Sequence, residues 1–123
     1  MALITKHFKE KELICPCCGK QKMGSLFMDL VEACRVISRI PFRVTSGWRC
    51  EKHNREIGGH PTSAHMEGLA IDIARSSPAK DRDILEAATK VGFVGIEIGS
   101  RHFHFDLKPR SHGRYVLWTA KSK

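Results

Sequence analysis

Two short stretches hold the residues best suited to chemistry. In SAHMEGLAIDI, residues 63–73, a histidine and an aspartate stand seven positions apart across a glycine and an apolar run. In HFHFDL, residues 102–107, two histidines and an aspartate alternate with phenylalanine and leucine. An ionised carboxylate inside a run such as LAIDI is too costly to bury without a partner, and a metal ion is one candidate. Strand periodicity puts His102, His104 and Asp106 on one face and Phe103, Phe105 and Leu107 on the other. The same rule separates Ala70 and Asp72 from Leu69, Ile71 and Ile73. If the two strands are neighbours, Asp72 shares a face with His104, and His65 reaches in from the loop or turn before Gly68. Two histidines and one carboxylate form a zinc donor set that leaves a fourth position for water, as catalytic sites require. Each residue singly could be a polar group satisfied within the fold, but their joint spacing argues for one site.

The elements that must position these residues can be read coarsely. Residues 25–39 carry Leu26, Leu30, Ala33, Val36 and Ile37 at helical spacing behind Ser25 as N-cap, which predicts the main core helix. A second helix is signposted by Ser77 as N-cap, Pro78 at its first position, the stripe Ile84, Leu85, Ala88 and Val91, and Gly92 as its stop. Strands are predicted at 42–46, 69–73, 94–98, 102–107 and 115–118. The expectation is an α+β fold in which a small antiparallel sheet packs with two main helices. A chain of 123 residues without repeats, low-complexity segments or an obvious linker reads as a single domain, 1–123.

Composition narrows the class of protein. With 41% hydrophobic and 28% charged residues the chain is globular rather than disordered. No apolar run approaches the roughly 18 residues that span a bilayer. The opening MALITKHFKEKE has neither an apolar h-region nor a cleavage site. The expectation is cytoplasmic synthesis without a signal peptide. The 21 Lys and Arg against 13 Asp and Glu leave a net charge of +8, which favours an anionic partner. The basic residues are spread along the chain apart from a denser tail, Lys108, Arg110, Arg114, Lys121 and Lys123. No RNA-binding aromatic signature or zinc-finger spacing accompanies them, so a nucleic-acid module explains the charge but not the histidines.

At this point the residues resemble a known family. Ser63, His65, Gly68, Ala70 and Asp72 reproduce S-x-H-x-x-G-x-A-x-D, the signature of the zinc D-Ala-D-Ala carboxypeptidases and endopeptidases of the hedgehog/DD-peptidase superfamily. TSGWRCEKHN, residues 45–54, is similar to the family's S-G-[YW]-R segment followed by C-x-x-H-N, and HFHFD is similar to its H-x-D strand. FKEKELICPCCG resembles the opening of the small phage-type members. The resemblance implies zinc held by His65, Asp72 and His104, a substrate pocket with Arg49 and Ser63, and cleavage of peptide bonds in or near the peptidoglycan stem. Arg49 is a permanent cation whose forked donors suit a developing oxyanion or a substrate carboxylate. His53 and Asn54 are expected to cap or brace their loop.

The general base stays open between two residues. Many relatives place a glutamate three residues before the last histidine ligand, where this chain has Arg101. The substitutes are His102, on the strand face of His104, and Glu97, across the GSR turn. A two-residue turn of Gly99 and Ser100 would pair Glu97 with His102, and a three-residue loop would turn Glu97 to the other face. His102 is favoured because its direction does not depend on the turn, and Asp106 is placed to orient His104.

Five cysteines complete the inventory. Cys15 and Cys18 have metal-pair spacing with Cys17 between them, but no second C-x-x-C follows, and Cys34 and Cys50 are isolated. Reduced thiols are the default, with a second structural zinc or a Cys15–Cys50 disulfide as alternatives. Together these readings predict a monomeric zinc peptidase that acts on peptidoglycan peptides after release, with no nucleic-acid or membrane partner. The rival of another class is a non-catalytic zinc-binding domain of the same fold.

Overall fold

A computed structural model describes residues 3–109 and 116–119. Strands β1 (Leu3–Thr5) and β2 (Phe8–Lys9) form a small hairpin, followed by a 3-10 turn at Glu10–Glu12 and helix α1 (Ser25–Ser38). Strand β3 (Val44–Ser46), helix α2 (Glu51–Glu56), a 3-10 turn at Ala64–Glu67 and strand β4 (Ala70–Ala74) come next. Helix α3 (Pro78–Val91) then leads to strands β5 (Gly95–Ile98), β6 (His102–Asp106) and β7 (Val116–Thr119). The larger sheet has the order β3-β4-β6-β5-β7. Its first four strands are antiparallel neighbours, as expected, while β7 runs parallel to β5. Strand β6 already has β4 and β5 on its two sides, so β7 adds at the open edge of β5. A strand that reverses the direction of β6 then necessarily runs with β5.

Alternation along the strands divides the sheet into an apolar and a polar face. Ile71, Ile73, Ile96, Phe103 and Phe105 enter the core, where they meet Phe27, Met28, Val31 and Cys34 of α1 and Ile84, Ala87 and Ala88 of α3. Phe93 stacks on Phe105 with ring centroids 5.0 Å apart. Full burial of each such aromatic side chain is worth about 1.5–3 kcal/mol. This apolar face fixes the sheet against the helices and leaves its reverse free for polar groups.

Helix α3 matches its sequence signals. Ser77 Oγ accepts the Lys80 amide at 3.2 Å, Pro78 opens the helix, and Gly92 closes it at φ +84°. Helix α1 requires two corrections. Gly24 is its N-cap and Ser25 its first residue. Its buried stripe is Phe27, Met28, Val31, Cys34 and Ser38, whereas the predicted Leu26 is 78% exposed, and Val36 and Ile37 are also exposed. Both sets have helical spacing, and the larger, more continuous row of Phe27, Met28 and Val31 faces the sheet. The short α2 and the β1–β2 hairpin had no clear sequence signal. Tyr115 of the predicted last strand, and Arg110, Arg114, Lys121 and Lys123 of the basic tail, lie outside the described residues.

Candidate active site

The polar face of the sheet gathers the histidines and carboxylates through its register. Asp72 lies directly across from His104 in the β4–β6 pair, and Glu97 lies across from His104 in the β5–β6 pair. His65 sits in the 3-10 turn before β4, capped by Ser63, whose Oγ accepts the His65 amide at 3.3 Å. Gly68 ends that turn at φ +73°, where a Cβ would stand 2.0 Å from the Lys22 carbonyl oxygen, so only glycine admits the close approach. His65 and Asp72 are buried, and the ligating atoms of His65, Asp72 and His104 all lie within 4.8 Å of one another.

The hydrogen-bond partners determine which ring nitrogens point inward. His65 Nδ1 lies 2.8 Å from the Gly47 carbonyl, which can only accept, so Nδ1 carries the hydrogen and Nε2 faces Asp72 Oδ1 at 3.2 Å. His104 Nε2 donates to Asp106 Oδ2 at 2.7 Å, leaving Nδ1 3.0 Å from the same Asp72 oxygen. Two inward-facing ring nitrogens and a carboxylate oxygen therefore converge on one point, where a cation can take the place of the hydrogens that the rings share with Asp72. This donor set fits a divalent metal ion, with Gly47 and Asp106 holding the rings as metal-binding histidines require.

The ionisation of the site follows from the same contacts. Burial alone would raise the Asp72 carboxyl, but hydrogen bonds from His104 and His65 outweigh it and hold Asp72 well below the usual carboxylate range. Burial likewise disfavours the imidazolium of His104, yet hydrogen bonds to Asp106 and Asp72 and their negative charge push it up to about 9. Burial lowers Arg49 from its ordinary value, opposed by the charge of Asp72.

Arg49 lies on the loop after β3, and several residues fix it. Its Nε donates to Ser46 Oγ at 3.3 Å, its Nη1 to Asn54 Oδ1 at 3.0 Å, and its Nη2 stands 3.8 Å from Asp72 Oδ2. Buried Asn54 in turn donates through Nδ2 to the His60 carbonyl at 2.9 Å and braces the loop as expected, whereas the cap of α2 is the Cys50 thiol, which accepts the His53 backbone amide at 3.4 Å. His102 brings Nε2 to 4.0 Å from Asp72 Oδ2, with a side chain 41% exposed.

The β5–β6 connection takes neither of the two forms considered from sequence. The Gly99 amide donates to the His102 carbonyl at 2.9 Å and Ile98 pairs with Phe103, so Ser100 and Arg101 form the turn. Glu97 therefore shares the face of His104, but it lies on the side of β6 away from Asp72, where Trp118 Nε1 donates to its Oε2. Sequence reasoning missed the Gly47 carbonyl and Trp118. Gly47 is 18 positions from His65 and Trp118 is 21 from Glu97, and neither has a local signal.

Two clefts adjoin these residues. One of about 680 Å³ runs along Arg43, Thr45, Ala74 and Arg101 to His102. Another of about 490 Å³ is lined by Trp48, Arg49, Asn54 and Met66. A convergent His-Asp-His set beside a braced arginine, with one cleft of ligand size lined by that arginine and another by His102, defines a candidate metal-dependent hydrolytic centre. The comparisons with known proteins agree: the family model for Peptidase M15 matches residues 6–106. The chain belongs to the peptidase M15 family, which makes it a peptidase with a peptide substrate. No curated protein matches the chain. Among the described residues, no helix is long and apolar enough to cross a membrane.

Proposed function

We propose that this protein is a zinc peptidase that hydrolyses bonds of bacterial peptidoglycan stem peptides, as a D,D-carboxypeptidase or an endopeptidase. The observation that carries the reading is the convergence of His65 Nε2, His104 Nδ1 and Asp72 Oδ1, a two-histidine, one-carboxylate set of the catalytic zinc type. Zinc held there supplies a Lewis acid that polarises the scissile carbonyl and lowers the pKa of a water toward about 7. Asp106 and the Gly47 carbonyl keep the two rings in the ligating tautomers. Arg49, held by Ser46 and Asn54, directs its guanidinium at the developing oxyanion or at a substrate carboxylate. Ser63, which caps the turn that presents His65, binds substrate beside Arg49 in this reading.

His102 is the general base of this reading, taking the proton of the attacking water and returning it to the leaving amine. Its Nε2 reaches Asp72 Oδ2 at 4.0 Å, whereas Glu97 is separated from Asp72 by β6 and is engaged by Trp118. Exposed Arg43 and Arg101 in the cleft beside His102, with the net charge of +8, suit an anionic wall and a carboxylate-bearing peptide. The same reading has the chain act as a monomeric, single-domain enzyme, made in the cytoplasm and reaching the wall by release.

Digestion of purified peptidoglycan, with the fragments identified by mass spectrometry, tests the proposal and names the bond. Release should stop with a chelator and return with zinc. If the zinc-loaded protein releases nothing, the assignment of peptidoglycan as its substrate is overturned.

A further inference from the structure

A second cluster of metal-ligating side chains lies where the N-terminal segment meets the loop that carries Arg49. The thiols of Cys15, Cys18 and Cys50 all lie within 4.8 Å of one another, with the sulfurs of Cys15 and Cys50 3.6 Å apart, and none is in a disulfide. The run Cys15-Pro16-Cys17-Cys18-Gly19 folds as a tight knuckle. The Gly19 amide donates to the Cys15 carbonyl at 2.8 Å, Gly19 has φ +70°, and the Cys15 amide donates to the Lys20 carbonyl at 2.7 Å. This bend turns two cysteines at metal-pair spacing toward a third that is 35 residues from the first.

We propose that Cys15, Cys18 and Cys50 form a structural metal site that takes a zinc ion through three thiolates. Each ligating thiol gives its proton to solvent as the sulfur binds the metal.

The geometry of the three sulfurs carries the site, and their crowding gives a cation its place. Burial raises Cys15, but the backbone amides of Cys50, Cys18 and Cys17 outweigh it and bring the thiol down to about 7. The Lys20 amide stabilises the Cys18 thiolate, yet burial and the neighbouring thiols of Cys15 and Cys50 leave Cys18 raised overall. Three thiols this close repel one another as anions, and a soft divalent cation removes that repulsion.

The position gives the site a purpose. Cys50 is the N-cap of α2 and follows Arg49 directly, and the Trp48 amide donates to the Leu13 carbonyl at 3.0 Å. Gly47 packs so closely on Leu13 that a Cβ there would stand 2.7 Å from its Cα. A metal at the cysteines thus ties the N-terminal segment to the stretch that presents the Gly47 carbonyl to His65 and Arg49 to Asp72. The inference does not depend on peptidase activity.

The test uses the full chain carrying His65→Ala and His104→Ala, so that the sulfur ligands alone remain. After reduction, chelation and titration with cobalt(II), this variant should bind one equivalent with a thiolate-to-metal charge-transfer band in the near ultraviolet. Adding Cys18→Ser, at an exposed position, should abolish the band or weaken binding by about tenfold or more. Cys34→Ala, at a buried cysteine outside the cluster, should leave the band unchanged. Reduced double variant that takes up no cobalt, or a band that survives Cys18→Ser at full affinity, overturns the proposal. So does freshly purified metal-free protein with a Cys15–Cys50 disulfide. In each of those cases the His65 centre can still be assayed in the wild-type chain.

Discussion

His102→Ala separates the general base from its neighbours. The imidazole is 41% exposed and its Nε2 lies 4.0 Å from Asp72 Oδ2, so its removal opens no buried cavity and deletes no metal ligand. Stability should stay within about 0.5 kcal/mol of wild type, and metal content should not change. A general base contributes about 10² to 10⁴ in rate, which corresponds to about 2.7–5.5 kcal/mol in the barrier. Glu97→Gln is the paired control. The glutamine keeps an oxygen to accept the Trp118 Nε1 hydrogen and loses only the charge, on the side of β6 away from Asp72, so less than about a tenfold loss is expected. The assay is initial-rate release of peptidoglycan fragments at saturating zinc, with metal analysis of each variant. An active His102→Ala beside an inactive Glu97→Gln would refute the reasoning and assign proton transfer to the glutamate.

Three further expectations follow from the same geometry. His65→Ala, Asp72→Ala and His104→Ala should each lower bound zinc by one equivalent by metal analysis, and full retention in all three would end the assignment. Arg49→Lys keeps the charge but loses the bonds to Ser46 and Asn54, so activity should fall, metal should stay, and denaturant unfolding should show a loss of about 1 kcal/mol. Retained activity would make Arg49 purely structural. The chelated protein should show a stability maximum between about pH 4 and 6.5 in urea titrations. His104, raised from 6.5 to about 9, contributes stability that is complete below 6.5 and lost as pH rises through 9. Asp72, lowered from 3.8, contributes stability present above that value and lost as pH falls. Zinc should offset the alkaline loss because it binds the unprotonated ring, and an alkaline limb unchanged by zinc would contradict a shared site.

Much of the candidate site was legible because strand alternation is a local property. HFHFD places His102, His104 and Asp106 together whatever the strand's neighbours, and LAIDI places Asp72 opposite Ile71 and Ile73. The ends of α3 were equally legible, since Ser77, Pro78 and Gly92 act through their own backbone angles and caps. The apolar stripe of α1 was not. Leu26, Val36 and Ile37 have the same period as Phe27, Met28 and Val31, and only the packing partners choose between two apolar rows on one helix.

What the chain by itself determined is therefore which side chains share a face, while the tertiary structure decided which faces meet. The placement of Glu97 depended on a turn of Ser100 and Arg101, which moves its partner on β6 from His102 to His104. The tautomer of His65 depended on a carbonyl at Gly47, delivered by a glycine packed on Leu13. The gathering of Cys15 and Cys18 with Cys50 depended on the same packing. Periodicity acts between residues a few positions apart, but contacts across 18 or 35 positions arise only when the sheet and helices close on their common core.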